Sequence, residues 1–123
     1  MTREEACEIY RSNYWNPLRC SDLPKGVDLV VFDFGVNAGP RRSAEVLQKV
    51  VGVEQDGSVG PITLHAVGAI SPIKIIHEFS ARRLELYASF PRFAKFGKGW
   101  TNRTMAMEQA ALKMAESVLP KAA

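Results

Sequence analysis

Asp33 and Asn37 are the residues of this chain best placed for polar chemistry. They lie four apart in VDLVVFDFGVNAGP, a run that is otherwise apolar. On a helix, residues four apart share a face, so a carboxylate and an amide would form one polar strip lining a substrate cleft. The plainer reading pairs Asp33 with an arginine such as Arg83 and makes Asn37 the C-cap of its helix. Glycoside hydrolysis uses a carboxylic acid of raised pKa, often with a second carboxylate opposite. Of the 13 acidic residues, most glutamates sit where exposure is expected. Only Asp33 has surroundings that suggest a shifted pKa, and one carboxylate does not make a pair.

The second concentration of useful side chains is FPRFAKFGKGWTNR, Phe90 to Arg103. Here Arg92, Lys95, Lys98 and Arg103 alternate with Phe93, Phe96 and Trp100, with no acid among them. Such faces stack on bases or on sugar rings; the plainer reading has the rings packing a connector onto the core while the cations stay solvated. Tyr14-Trp15 carries the same two readings, sugar platform or core anchor. Asp56-Gly57-x-x-Gly60-Pro61-x-Thr63 superficially resembles a calcium loop. That chemistry needs several oxygens at alternating positions, and only Asp56, with Ser58 or Gln55, is on offer. A structural turn followed by a helix start is expected instead. Cys7 stands among Glu4, Glu5 and Glu8, which disfavour its thiolate, so it is not read as a nucleophile. Two cysteines form neither a disulfide framework nor a metal pattern. Cys7 and Cys20 are expected as free, buried thiols. His65 and His77 lie far from both in sequence, so no metal site and no cofactor are expected.

These residues must be positioned by helices. Thr2-x-x-Glu5 has the form of a capping box, opening a helix with Ala6, Ile9, Tyr10 and Tyr14 on one face and ending near Asn16-Pro17. Leu18 to Gly26 reads as a loop. Val27 to Val36 is a strand or a buried helix on apolarity alone; its neighbours and the stop signal Asn37-Ala38-Gly39-Pro40 favour the helix. Pro40 to Val51 turns Ala44, Leu47 and Val51 inward and Arg42, Glu45 and Lys49 outward, with Gly52 as its cap. A polar turn follows, then a short helix from Pro61 and a longer one from Ser71-Pro72 carrying Ile75, Phe79, Leu86 and Phe90. Phe90 to Trp100 reads as a connector. Thr101 to Leu119 reads as a last amphipathic helix, with Met105, Leu112, Ala115 and Leu119 inward. The periodicity predicts an all-α fold of about six helices.

With 46% hydrophobic and 24% charged residues, the 123-residue chain has the composition of a soluble globular domain able to bury its own core. A net charge of +3 suits any polyanionic partner and selects none, so nucleic-acid binding is not expected. The start, Met-Thr-Arg-Glu-Glu, is not a secretory signal. The longest apolar run, broken by Asp28 and Asp33, is far short of the ~20 residues of a membrane span, so no membrane insertion is expected.

Several of these segments together resemble a known family. Tyr10-Arg11-x-x-Tyr14-Trp15-Asn16-Pro17, Leu23-Pro24-x-Gly26-Val27 and Val31-Phe32-Asp33-Phe34-x-Val36-Asn37-x-Gly39-Pro40 are similar to the C-terminal part of the glycoside hydrolase family 108 domain. Its members are phage-type endolysins and secretion-associated N-acetylmuramidases. Leu47-Gln48-x-x-x-Gly52-Val53, Asp56-Gly57-x-x-Gly60-Pro61-x-Thr63-Leu64, and then Arg83, Leu84 and Phe90 to Arg103, resemble the predicted peptidoglycan-binding module joined to that domain. The resemblance implies a lysozyme-like helical fragment over residues 1–42 and a peptidoglycan-binding helical module over residues 43–119. It implies peptidoglycan glycan strands as the partner, with Tyr14, Trp15, Asp33, Asn37, Trp100 and Arg103 as substrate-binding residues. The family carries its catalytic glutamate in a Glu-Gly-Gly-Tyr motif near its N-terminus, and this chain contains no Glu-Gly-Gly and begins downstream of that position. No catalytic residue is therefore assigned, and the chain alone is expected not to cleave the β-1,4 bond between N-acetylmuramic acid and N-acetylglucosamine. A non-catalytic wall-binding or secretion-accessory role is the alternative. Synthesis without a signal peptide in a bacterial or phage-infected cell, and action at the cell wall or periplasm, are expected.

Overall fold

The computed structural model describes residues 2–118; the inward placement expected of Leu119 and the Phe93 ring lie outside the described residues. Thr2 opens α1 (Arg3–Tyr10), its Oγ1 accepting from the Glu5 amide at 3.1 Å, one half of the expected capping box. A π-turn over Arg11–Trp15 ends this segment just before Pro17, and a 3₁₀ turn (Cys20–Asp22) punctuates the following loop. The face expected to be buried is not: Ile9 and Tyr10 are 43% and 47% exposed, and α1 has no buried residue. Helical periodicity marks an apolar stripe, but among the described residues it is only partly covered, Tyr10 meeting the Phe32 ring edge-on.

The ambiguous apolar run is a helix, α2 (Val27–Ala38), with Val27, Val30, Val31 and Phe34 buried. Glycines bracket it. Gly26 (φ 92°) is required twice over, since a Cβ there would also lie 2.4 Å from the Ala111 carbonyl oxygen. Gly39 (φ 104°), and not Asn37, is the C-cap. Pro40 then starts α3 (Pro40–Val51), with Ala44, Leu47 and Val51 buried, Arg42 and Lys49 exposed, and Gly52 left-handed at its end, as the pattern predicts. Next come α4 (Pro61–Gly68) and α5 (Pro72–Ser89). Ser71 occupies the N-cap position of α5, but its hydroxyl makes no capping bond.

The last helix departs from expectation at its start. α6 runs from Phe93 to Val118, so only Phe90 to Arg92 remain as connector. Gly97 and Gly99 each cost a helix about 1 kcal/mol relative to Ala. That local preference is overridden because the segment packs along α5 and stacks Phe96 and Trp100, 5.9 Å apart and 28° from parallel. Met105 is 56% exposed, and Ala111 and Ala115 take the innermost positions of α6 at 0% and 1%. The small side chains let α6 come close to Gly26.

The described residues thus form six α-helices and no strand, an all-α fold as expected. One hydrophobic cluster runs from Leu18 to Ala115 and includes residues on both sides of position 42, among them Phe34, Leu47, Ile75 and Phe79. The polar loop between α3 and α4 is held by Gln48, which is 1% exposed. Its Nε2 donates to Asp56 Oδ1 (2.8 Å), the Ser58 carbonyl (2.9 Å) and Thr63 Oγ1 (3.1 Å), and its Oε1 accepts from the Gly57 amide (3.0 Å). The loop is a turn organised by an amide, and the Asp56 carboxyl is held below its usual value chiefly by that Gln48 bond.

Both cysteines are free, but only Cys20 is buried. Cys7 sits on exposed α1, where the core does not reach. Burial, reinforced by Asp28, pushes the Cys20 thiol up to about 12. A raised thiol value means the folded protein keeps its proton where the unfolded chain loses it. This contribution is complete below pH 9.0, the ordinary thiol value, and is lost as pH rises toward about 12.

Two outcomes are expected. At neutral pH an aromatic disulfide reagent should label one thiol rapidly in the native protein and the second only in denaturant, and Cys7→Ser should abolish the fast phase; two fast thiols would contradict the assignment. Gln48→Ala should lower stability in urea unfolding by about 2 kcal/mol, the cost of stranding buried polar partners, whereas an unchanged midpoint would show that the loop stands without Gln48.

Candidate functional site

The polar strip on α2 meets its partners on α5. Arg83, 1% exposed, brings Nη1 to 2.8 Å from Asp33 Oδ2. One turn further along each helix, Asn37 donates from its amide nitrogen to the Tyr87 hydroxyl at 2.7 Å, and Arg83 Nε donates to the same oxygen at 3.1 Å. Asp33–Arg83 and Asn37–Tyr87 are two rungs between α2 and α5, each built from the i, i+4 geometry of its helices. From α6, Arg103 donates through Nη2 to Asp33 Oδ1 at 2.5 Å. That bond raises the Arg103 pKa further, and burial raises that of Tyr87, which stays a neutral phenol.

The inner ion pair is close but not aligned as a hydrogen bond: neither Asp33 Oδ2 nor Arg83 Nη2 has a hydrogen-bond partner among the described residues. The attraction there is coulombic, helped by the faces of Phe34 and Tyr87, whose centroids lie 5.2 and 5.4 Å from the Arg83 guanidinium carbon. Outward from Tyr87 the rings continue. Trp100 lies 4.9 Å from Tyr87 at 30°, with Phe90 edge-on at 6.0 Å and Phe96 stacked at 5.9 Å. Arg42 covers Phe90 at 5.0 Å. The result is a shelf. Asn37, Phe96 and Arg103 are exposed and Trp100 is half-buried, while Asp33 and Arg83 lie beneath as a brace.

Four of the six residues singled out by sequence, Asp33, Asn37, Trp100 and Arg103, therefore come together. The pairing of Asp33 with Arg83 is the plainer of the two sequence readings. Reading Asn37 as a C-cap is corrected, because its amide is spent on Tyr87 and Gly39 turns the chain. Tyr14 and Trp15 gather elsewhere, around Phe32: Trp15 packs edge-on against it at 5.5 Å, and Tyr10 bridges Tyr14 (6.0 Å) to Phe32 (6.5 Å). Trp15 Nε1 also donates to Ser21 Oγ at 2.8 Å. Phe32 and Asp33 are neighbours on α2, so these rings point about 100° around the helix from the shelf. The sequence alone does not single out Tyr87, although it stands four residues after the one arginine of α5 that falls on the apolar face.

The other buried carboxylate, Asp28, accepts from the Gly26 and Leu29 amides through Oδ1 (3.0 and 2.7 Å) at the start of α2. No group of three or more His, Cys, Asp or Glu among the described residues is placed to hold a metal ion. Beside the shelf, α3 and α5 open a groove of about 380 Å³ with Arg42 at its edge.

Comparison with known proteins bears on this arrangement. Residues 1–39 match the family model described as Glycosyl hydrolase 108. The fold superposes on the "Structure of Brucella abortus SagA" with a TM-score of 0.91 and 43% identity, covering 94% of this chain and 66% of that one. This chain therefore spans about two thirds of the length of SagA. No curated protein matches the chain. The helical fold and its relatives define a domain of glycoside-hydrolase type. The family match and the likeness to SagA together support a glycosyl hydrolase 108-type domain.

The two ionic contacts of Asp33 should differ in worth. Asp33→Asn leaves the buried Arg83 without a counter-charge and should cost about 3 kcal/mol. Arg103→Ala removes a guanidinium that is 57% exposed, and should cost less than about 1 kcal/mol. Urea unfolding of the two variants measures this, and equal losses would refute the brace.

Proposed function

We propose that this chain supplies peptidoglycan recognition to a phage-type N-acetylmuramidase and does not itself cleave the glycan. The observation that carries the recognition reading is the shelf. The half-buried Trp100 and the exposed Phe96 offer ring surface, and beside them Asn37 has its amide oxygen and Arg103 the guanidinium donors not given to Asp33, with the Asp33–Arg83 pair beneath. Sugar rings stack on such faces, and their hydroxyls and acetamido groups pair with such donors. The reading of inactivity is supported by the two buried carboxylates. A general acid must present a proton to the glycosidic oxygen. Asp33 faces two guanidinium groups and Asp28 is bonded to the backbone at the start of α2, so neither is presented to a ligand.

The family match ends at residue 39, at the Gly39–Pro40 corner between α2 and α3. This supports a division of roles there, with residues 1–42 as the hydrolase-type part and residues 43–119 as the recognition module. Action at the cell wall follows from the proposed ligand.

Co-sedimentation with insoluble peptidoglycan tests the proposal. The wild type should pellet with the polymer. Phe96→Ala, whose ring is 40% exposed, and Trp100→Ala, with folding checked by circular dichroism, should each bind about tenfold more weakly, a loss of about 1.4 kcal/mol. Unchanged pelleting of both folded variants would remove the shelf from the ligand, and a falling turbidity of the suspension would overturn the inactivity.

A further inference from the structure

The groove between α3 and α5 is a second site, chemically unlike the shelf. Its volume, about 380 Å³, lies in the range of pockets that hold small ligands. Its floor is aliphatic, from Val46 and Leu86, and Gln55 stands at one end. Three cations and two carboxylates line the rim. Glu45 is paired with Arg41 at 3.2 Å and Glu85 with Arg82 at 3.1 Å. Arg42 and Lys49 have no carboxylate within ion-pair distance among the described residues. They are seven residues apart on one face of α3, two turns or about 10.5 Å, and an extended peptide covers that distance in about three residues.

A ligand for this groove carries two carboxylates about three residues apart and small apolar groups between them. Continuous polyanions fit poorly, because Glu45 and Glu85 interrupt the positive rim. Sugars fit poorly as well, because the floor has no aromatic face. We propose that the α3–α5 groove binds a short acidic peptide. Resting on the function proposed above, this peptide is the stem peptide of peptidoglycan, so that the shelf takes the glycan and the groove takes the peptide attached to it.

The probe is the tetrapeptide L-Ala-γ-D-Glu-meso-diaminopimelate-D-Ala, titrated at low salt and followed by amide chemical shifts. Binding should shift Val46, Lys49 and Leu86. Lys49→Glu and Arg42→Gln should each weaken it about threefold, the worth of an exposed ion pair. The double variant should weaken it about tenfold, while Lys113→Glu, an exposed change of the same charge on α6, should leave it unchanged. No shifts in the wild type, or equal affinity in wild type and the double variant, overturns the groove assignment. Pelleting with intact peptidoglycan and with glycan strands stripped of peptide separates the two proposals. Lys49→Glu, which leaves Arg42 on Phe90, should pellet less than the wild type with intact polymer only. If the wild type pellets with both polymers and Lys49→Glu matches it on each, the groove falls and the wall reading stands. If the tetrapeptide binds but nothing pellets, the groove binds acidic peptides, and its assignment to the peptidoglycan stem falls with the wall reading.

Discussion

Three helices depend on one carboxylate. Asp33 of α2 receives Arg83 from α5 and Arg103 from α6, and among the described residues no other salt bridge joins α2 to either helix. Taking an arginine and an aspartate out of water is expensive, and their attraction repays it only with good geometry. Here the repayment comes from several sources: the 2.8 Å approach, the Tyr87 hydroxyl on Nε, and two ring faces beside the guanidinium. A well-packed apolar pair of similar volume would hold α2 and α5 together about as firmly. It would not fix their register.

Register is what the site needs. The second rung, Asn37–Tyr87, forms only if Asp33 and Arg83 are already opposite each other, because each rung is one helical turn from the other. Tyr87 then carries Trp100 at 4.9 Å, and Trp100 carries Phe90 and Phe96. A slip of α5 by one residue along α2 would break both rungs and tilt the shelf. An ordered aromatic surface loses little freedom on binding, and that saving goes directly into affinity.

Much of the architecture was legible from punctuation. Gly-Pro pairs at 39–40 and 60–61, Ser71-Pro72 and the glycines at 26 and 52 mark helix ends through backbone geometry that any reader of the sequence can apply. The errors arose where tertiary contact outweighs local preference. Gly97 and Gly99 argue against a helix, yet α6 begins at Phe93 because Trp100 is clasped by Tyr87 and Phe90. Ile9 and Tyr10 argue for a buried face that the described residues cover only in part. In the site, a lone aspartate within an apolar run pointed to an arginine, and Arg83 was the one to expect. The Asn37–Tyr87 rung was hidden because neither residue is unusual alone; only the pairing of two i, i+4 steps on different helices makes it.

The helix that joins these parts is α3, and it is fixed on three sides. Ser43 donates to the Val31 carbonyl of α2 at 2.7 Å in the buried interface. Arg42 covers Phe90 at the edge of the shelf, and Gln48 ties the far end of the helix to the Asp56–Thr63 loop. A helix pinned in this way cannot slide along α5 without breaking a buried hydrogen bond. The width of the α3–α5 groove is therefore set before any ligand arrives, with the backbone positions of Arg42 and Lys49 about 10.5 Å apart along α3, two turns of helix. Shelf and groove share Arg42 as their boundary, so a ligand that spans both meets a surface whose two halves are held at a constant separation.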